Sequence, residues 1–206
     1  MQHARPVLLL TGALSTLAGL VASGCAPSDS TTPTAPISSE AKEAYLKQSG
    51  ELASELQGSL AKRLMAAMED GGPTEAVEVC QEVAQRLTEK SARMEPPAEI
   101  TRTALRVRNP VNRPDEHSAQ VMQSWESTLA KGNEAEPDIR INDGSVIVHR
   151  PIMTAELCLQ CHGEPSEMKA STRSLIREYY PDDAATGFQA GDLRGAFRIE
   201  FGRQPD

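Results

Sequence analysis

Between residues 40 and 69 apolar side chains recur at three- and four-residue steps. Leu46, Leu52, Ala53, Leu56, Leu60, Leu64 and Met68 fall near one face, which predicts a long amphipathic helix. Gly71-Gly72-Pro73 ends it, and Gly50 and Gly58 lie inside it against propensity. The stripe reads as core packing or a dimer seam rather than as a ligand role for Met65 or Met68. Pro73 suits the first position of a second helix, with Glu75 in its first turn. That helix carries Ala76, Val77, Cys80, Val83, Ala84 and Leu87 on one face, so Cys80 sits in the middle of an apolar stripe. The period then changes: Thr103, Leu105 and Val107 alternate with Arg102, Ala104 and Arg106, as in a strand with one apolar and one arginine-bearing face. Residues 115–131 return to helical spacing through Ala119, Met122, Trp125 and Leu129 and stop at Gly132. Ile139-Arg140-Ile141, the turn Asn142-Asp143-Gly144 and Val146-Ile147-Val148 form a hairpin. Residues 171–180 read as a short helix, Pro181 to Asp192 as a loop, and Phe197, Ile199 and Phe201 as a final core strand. Helices and hairpin-type strands mix without a βαβ rhythm, so the expected class is α+β with an antiparallel sheet.

Only the extreme N-terminus departs from this globular pattern. His3 and Arg5 precede a mostly apolar run from Val7 to Leu20, and Ala22-Ser23-Gly24 leads into Cys25. This is the layout of a signal peptide over residues 1–24; the run is too short for a confident membrane span. Small residues directly before a cysteine resemble a bacterial lipobox, which implies cleavage before Cys25 and acylation of its thiol, although Ala22 stands where leucine is commonest and ordinary cleavage is the other reading. Residues 25–39 then form the anchored cysteine and a Ser/Thr/Pro tether, and 40–206 one domain large enough for a real core. The chain carries a formal net charge of −8, and cleavage would remove one arginine and no acid. Such an acidic protein is a poor partner for nucleic acid or for an anionic membrane surface. The expected location is exported, on the periplasmic side, with a lipid anchor in the membrane.

Cys158-Leu159-Gln160-Cys161-His162 supplies the chemistry. C-x-x-C-H is the spacing at which two thiols reach the two vinyl groups of a haem and the next imidazole meets the iron. Cys158 and Cys161 are therefore the thioether positions of one covalent haem c, and His162 is its proximal ligand. A zinc site would need two further ligands of matching type, and a redox dithiol would sit in a βαβ setting that is missing here. Aromatic residues make up only 3% of the chain, so the faces of a haem would supply core volume that side chains do not. Cysteine arithmetic leaves Cys80 unexplained: it is simply buried, paired between chains, or held by a cofactor. His117 or His149 could complete a bis-histidine haem, and Met122 or Met153 a histidine/methionine one. Arg102 and Arg106 could meet haem propionates through forked hydrogen bonds, although a row of arginines is more usually a solvated face.

Four blocks carry a resemblance over roughly residues 40–203. They are Met68-Glu69-Asp70-Gly71-Gly72-Pro73 with Val79-Cys80; Arg102 to Pro110 with Asn112 and Pro114-Asp115; Cys158 to Gly163; and Tyr180 to Ala184 through Gly187, Gly191-Asp192 and Arg194-Gly195-Ala196. In this order they resemble the PAS-like c-type haem domain family, a domain of unknown function found alone after a signal peptide or fused to sensor kinases and chemoreceptors. The resemblance implies a five-stranded antiparallel PAS-like sheet, long N-terminal helices, and a haem c ligated by His162 and Cys80. Glu116-His117 departs from the aromatic residue that members often carry there, which leaves the start of that helix open. A thiolate ligand stabilises ferric iron and lowers the potential. This favours a redox or gas sensor, in which the cysteine leaves on reduction and NO or CO takes its place. The alternative is a periplasmic electron-transfer cytochrome c. No enzymatic activity is expected; a peroxidase-like site would need His117 or His149 as an acid/base group over an open iron. Any signal would pass to a separate redox or signalling protein, or through a homodimer contact made by the first helix.

Overall fold

The computed structural model describes residues 37–77 and 98–202. The expected signal sequence, Cys25, most of the expected tether, and Cys80 with the rest of the helix expected around it lie outside the described residues. The leucine pattern of residues 40–69 forms one long helix, α1 (Ser39–Asp70), capped by the side chain of Ser38, which accepts from the Ala41 amide. Residues 72–77 begin a second helical segment. Leu52, Ala53 and Leu56 are buried, while Leu46 and Leu60 flank them. The glycine at position 50, costly in a helix interior, has a packing reason: a Cβ there would approach the Arg150 guanidinium at 3.1 Å. That guanidinium donates to Ser49 Oγ at 3.0 Å and to the Leu46 carbonyl, tying α1 to the sheet. No helix among the described residues is long and apolar enough to cross a membrane.

The strands are β1 (Ala98–Thr103), β2 (Asp138–Asn142), β3 (Ser145–Met153) and β4 (Leu193–Phe201). They form an antiparallel sheet in the order β1-β4-β3-β2. Four strands are present among the described residues where the resemblance implied five. The expected hairpin is β2–β3, closed by Asp143 (φ 49) and Gly144 (φ 82). Both central residues have positive φ, the type I′ geometry whose twist matches that of the strands. Along β4 and β3 the side chains alternate between two cores. Phe197, Ile199, Phe201, Val146 and Val148 pack with α1. Ala196 and Leu193 pack on the opposite face with Val121, Met122 and Trp125 of α2 (Glu116–Leu129). The helix start left open by Glu116-His117 is therefore defined: Asp115 is its cap and accepts from the Ser118 amide at 2.6 Å.

The strand expected over Thr103 to Val107 ends instead at Thr103. There the Ala104 amide turns to the Asn112 carbonyl (3.1 Å), and Thr103 Oγ1 donates to the same oxygen (3.2 Å). The alternation of apolar residues is real but serves two surfaces: Leu105 packs against α2 and Val107 lines a cavity.

Burial raises the Asp115 carboxyl, but the hydrogen bonds from Ser118 and the nearby Arg198 and His149 outweigh it and the pKa falls below its ordinary 3.8. Its stabilising contribution is complete above that value and is lost as the pH falls through the depressed one. Asp115→Ala should therefore lower stability by about 1 kcal/mol at neutral pH and by less in acid, read from thermal unfolding across that range.

Candidate functional site

The sequence around the motif folds back on itself because β3 breaks at its end. Its register against β4 shifts between Ile152 and Met153, a bulge that redirects the strand, and the Thr154 amide donates to the Asp192 carbonyl at 2.8 Å. A 3₁₀ turn (Glu156–Cys158) and one α turn, α3 (Leu159–His162), follow. At Gly163 a Cβ would stand 2.6 Å from the Leu159 carbonyl oxygen, so only glycine lets the chain leave the turn so closely. Residues 164–169 lead into α4 (Ala170–Tyr179). Its Ile176, with Met168, packs on Val77 and partly on Cys161.

Cys158, Cys161 and His162 all line one cavity of about 230 Å³. Leu60, Leu64 and Met68 of α1 contribute to its wall, together with Val77, Val107, Ile152, Leu157 and Phe197. Three arginines, Arg102, Arg108 and Arg194, line it as well. Both cysteines are partly buried and stand outside any disulfide. His162 Nδ1 lies 2.7 Å from the Ala185 carbonyl oxygen. A carbonyl can only accept, so Nδ1 carries the proton. Burial, then the charges of Arg194 and Arg108, push the imidazole well below its ordinary pKa against the opposing pull of that carbonyl. The ring is thus neutral, and its lone pair is on Nε2.

The loop after α4 holds this arrangement. The Gly187 amide donates to the Gly163 carbonyl (2.7 Å) and the Phe188 amide to the His162 carbonyl (3.0 Å). Phe188 meets the His162 ring edge-on, centroids 6.3 Å apart. Arg108 Nη2 donates to the Cys161 carbonyl (2.6 Å), to Asp183 Oδ2 (2.9 Å) and to the Ala185 carbonyl (3.2 Å). Asp183 in turn accepts from the Ala185 amide at 2.8 Å. Asp183 therefore fixes both Arg108 and the residue that orients His162. Arg194 is shifted down to about 10 by burial and by Arg108, with Asp183 opposing. Its neighbourhood holds more guanidinium charge than carboxylate.

Of the two arginines singled out in the sequence, Arg102 lines the cavity. Arg106 does not: it donates to the Thr186 carbonyl (3.0 Å) and stacks 3.4 Å above the Phe188 ring. The structure adds Arg108, Arg194, Asp183 and Ala185. All four stand within the blocks that carry the family resemblance, which is the signal that marked them. None of the alternative axial candidates reaches the cavity wall. His149 and Met122 are fully buried elsewhere, Met153 is an exposed apolar side chain, and His117 belongs with His149 and Asp138. Cys80 lies outside the described residues.

An antiparallel sheet between helices, with a thiol pair and an oriented imidazole on one cavity wall, defines an α+β domain with a cavity lined by ligand-type side chains. The chain belongs to the Tll0287-like family, whose family model matches residues 33–201, and this agrees with the c-type haem domain family expected from the sequence. A search of curated proteins found no match. Among solved structures the chain is similar to that described as the crystal structure of the cyanobacterial heme-protein Tll0287. The TM-score is 0.57 and the identity 22%, with 78% of this chain and 98% of that chain covered.

Asp183→Ala removes the buried counter-charge of Arg108; the two side chains are 8% and 10% exposed. Breaking such a pair costs about 3–5 kcal/mol, to be measured by urea unfolding against the exposed control Asp182→Ala, which should change stability by under about 0.5 kcal/mol.

Proposed function

We propose that this chain is an exported protein binding one haem c, anchored through Cys25, and that it acts as a redox or diatomic-gas sensor. The observation that carries the haem assignment is the His162 hydrogen bond to Ala185. In metal sites a ligating imidazole donates its second N–H to a carbonyl or carboxylate, which fixes the tautomer and the ring plane. His162 already has that state, in a C-x-x-C-H sequence whose thiols line the same cavity. The described solved relative is a haem protein, and membership of its family supports the same ligand here.

The donor set and the walls fit the group. Cys158 and Cys161 would hold the macrocycle covalently, His162 would take the iron, and the apolar side chains of α1, Val77 and Phe197 would cover its faces. Haem carries two carboxylates, and Arg102, Arg108 and Arg194 answer them. Arg108 Nε is buried without a partner, and the burial and neighbouring Arg108 charge that lower Arg194 would be offset by an anion. When bound, haem supplies one-electron chemistry and a coordination site for small gases. The protein residues exclude water from it, neutralise its acids and fix the proximal imidazole.

Cys80 is the proposed second ligand. Val77, three residues before it in the sequence, lines the cavity, whereas His117, His149, Met122 and Met153 do not. Met68 is a thioether on the wall and is the alternative that would favour an electron carrier over a sensor.

Cys158→Ser with Cys161→Ser should abolish covalent haem, seen as loss of haem stain on a denaturing gel. Cys80→Ala should change the ferric absorption spectrum, and an unchanged spectrum would rule out the thiolate. A redox titration with and without CO separates the two roles: CO binding on reduction supports the sensor, and reduction without CO binding supports the carrier.

A further inference from the structure

Away from the cavity, three ligand-type side chains meet where the first turn of α2 crosses the β2–β3 ladder. His117 Nε2 lies 3.4 Å from Asp138 Oδ2, and His149 Nδ1 lies 3.7 Å from the same oxygen. The three ligand atoms are all within 4.8 Å of one another. The backbone sets this up. Asp138 and His149 are direct cross-strand partners, and the period-2 alternation that turns Val148 toward α1 turns His149 toward α2.

His149 is fully buried. Its Nε2 is 2.9 Å from Ser118 Oγ, while its Nδ1 is buried without any hydrogen-bond partner. A buried imidazole nitrogen is normally satisfied, and this one is turned to a carboxylate too distant to accept a good hydrogen bond. Beyond that carboxylate stands a second imidazole, the ring centroids 5.4 Å apart. A direct contact alone explains this poorly, since one carboxylate oxygen stands 3.4 and 3.7 Å from two ring nitrogens and gives neither a short hydrogen bond. A cation between them satisfies all three groups, with Ser118 holding the far nitrogen of His149 as an outer partner does in metal sites.

We propose that His117, Asp138 and His149 bind a divalent transition-metal ion of the zinc class, with a fourth position open to water. Two imidazoles and a carboxylate are ligands suited to that class. Bonds of 2.0–2.1 Å in a tetrahedron place ligand atoms about 3.3 Å apart; the observed 3.4 and 3.7 Å are close to this. The side chains of His117 and Asp138 are 28% and 36% exposed, which gives an ion an approach from solvent and lets the His117 ring adjust. The neighbouring cation, Arg198, is already compensated by Glu200 at 2.7 Å and Asp115 at 3.6 Å. The ion would fasten the start of α2 to the hairpin.

The test uses the haem-loaded protein, stripped with a chelator, titrated calorimetrically with zinc chloride and assayed for metal after gel filtration. One zinc per chain is expected in addition to iron, with a zinc-dependent rise in unfolding temperature. His117→Ala and Asp138→Asn should each weaken zinc binding by about tenfold or more and leave the haem absorption spectrum unchanged. Cobalt bound in place of zinc should give the visible bands of a tetrahedral site, lost in both variants. Failure to retain zinc, or a zinc-dependent shift that persists in both variants, would overturn the proposal. Each variant serves as its own metal-free reference, so a change in basal stability does not obscure the result.

Discussion

The bond from His162 to the Ala185 carbonyl is the constraint on which the site depends. Imidazole is a useful ligand only when neutral and correctly protonated, and neither condition is met by default near pH 7. Here one acceptor fixes the tautomer, and burial, helped by two cations, keeps the ring neutral. The acceptor itself is held by Asp183, through the Ala185 amide and through Arg108. A short loop after α4 thus governs a turn formed some twenty residues earlier. The same loop is sealed to the motif by two backbone hydrogen bonds at Gly163 and His162.

Most elements were legible because their chemistry is local. The leucine spacing of α1, the Asp143-Gly144 turn and the alternation of Phe197, Ile199 and Phe201 each state their geometry within a few residues. The C-x-x-C-H motif is equally local. The end of β1 was not legible: the reason that it stops at Thr103 is the Asn112 carbonyl and the route to the cavity, both supplied by residues that the local pattern does not mention. The division of labour between Arg102 and Arg106 was hidden for the same cause. Alternation assigns both to one face, yet once the strand ends they diverge, and Arg106 finds Phe188 from the distant loop. Gly50 looked like a defect in a helix until Arg150, a hundred residues on, was placed against it.

The two sides of β3 serve different chemistry. Its odd and even positions face different helices, and the strand continues into the C-x-x-C-H motif while presenting His149 to α2. One rigid element therefore supports two polar constellations on separate elements and surfaces, each oriented by groups from elsewhere in the chain.

The sheet order carries a consequence for the making of the protein. Among the described residues β4 is the last strand in chain order, yet it lies between β1 and β3. Among the described strands the partner of β1 is β4, so that pairing waits for residues 193–201, and the arginine wall of the cavity cannot close before Arg194 arrives. Assembly must wait for long-range pairing, which is intrinsically slow. Throughout that interval Cys158 and Cys161, partly buried in the folded chain, belong to an open chain and are more accessible than after the sheet closes.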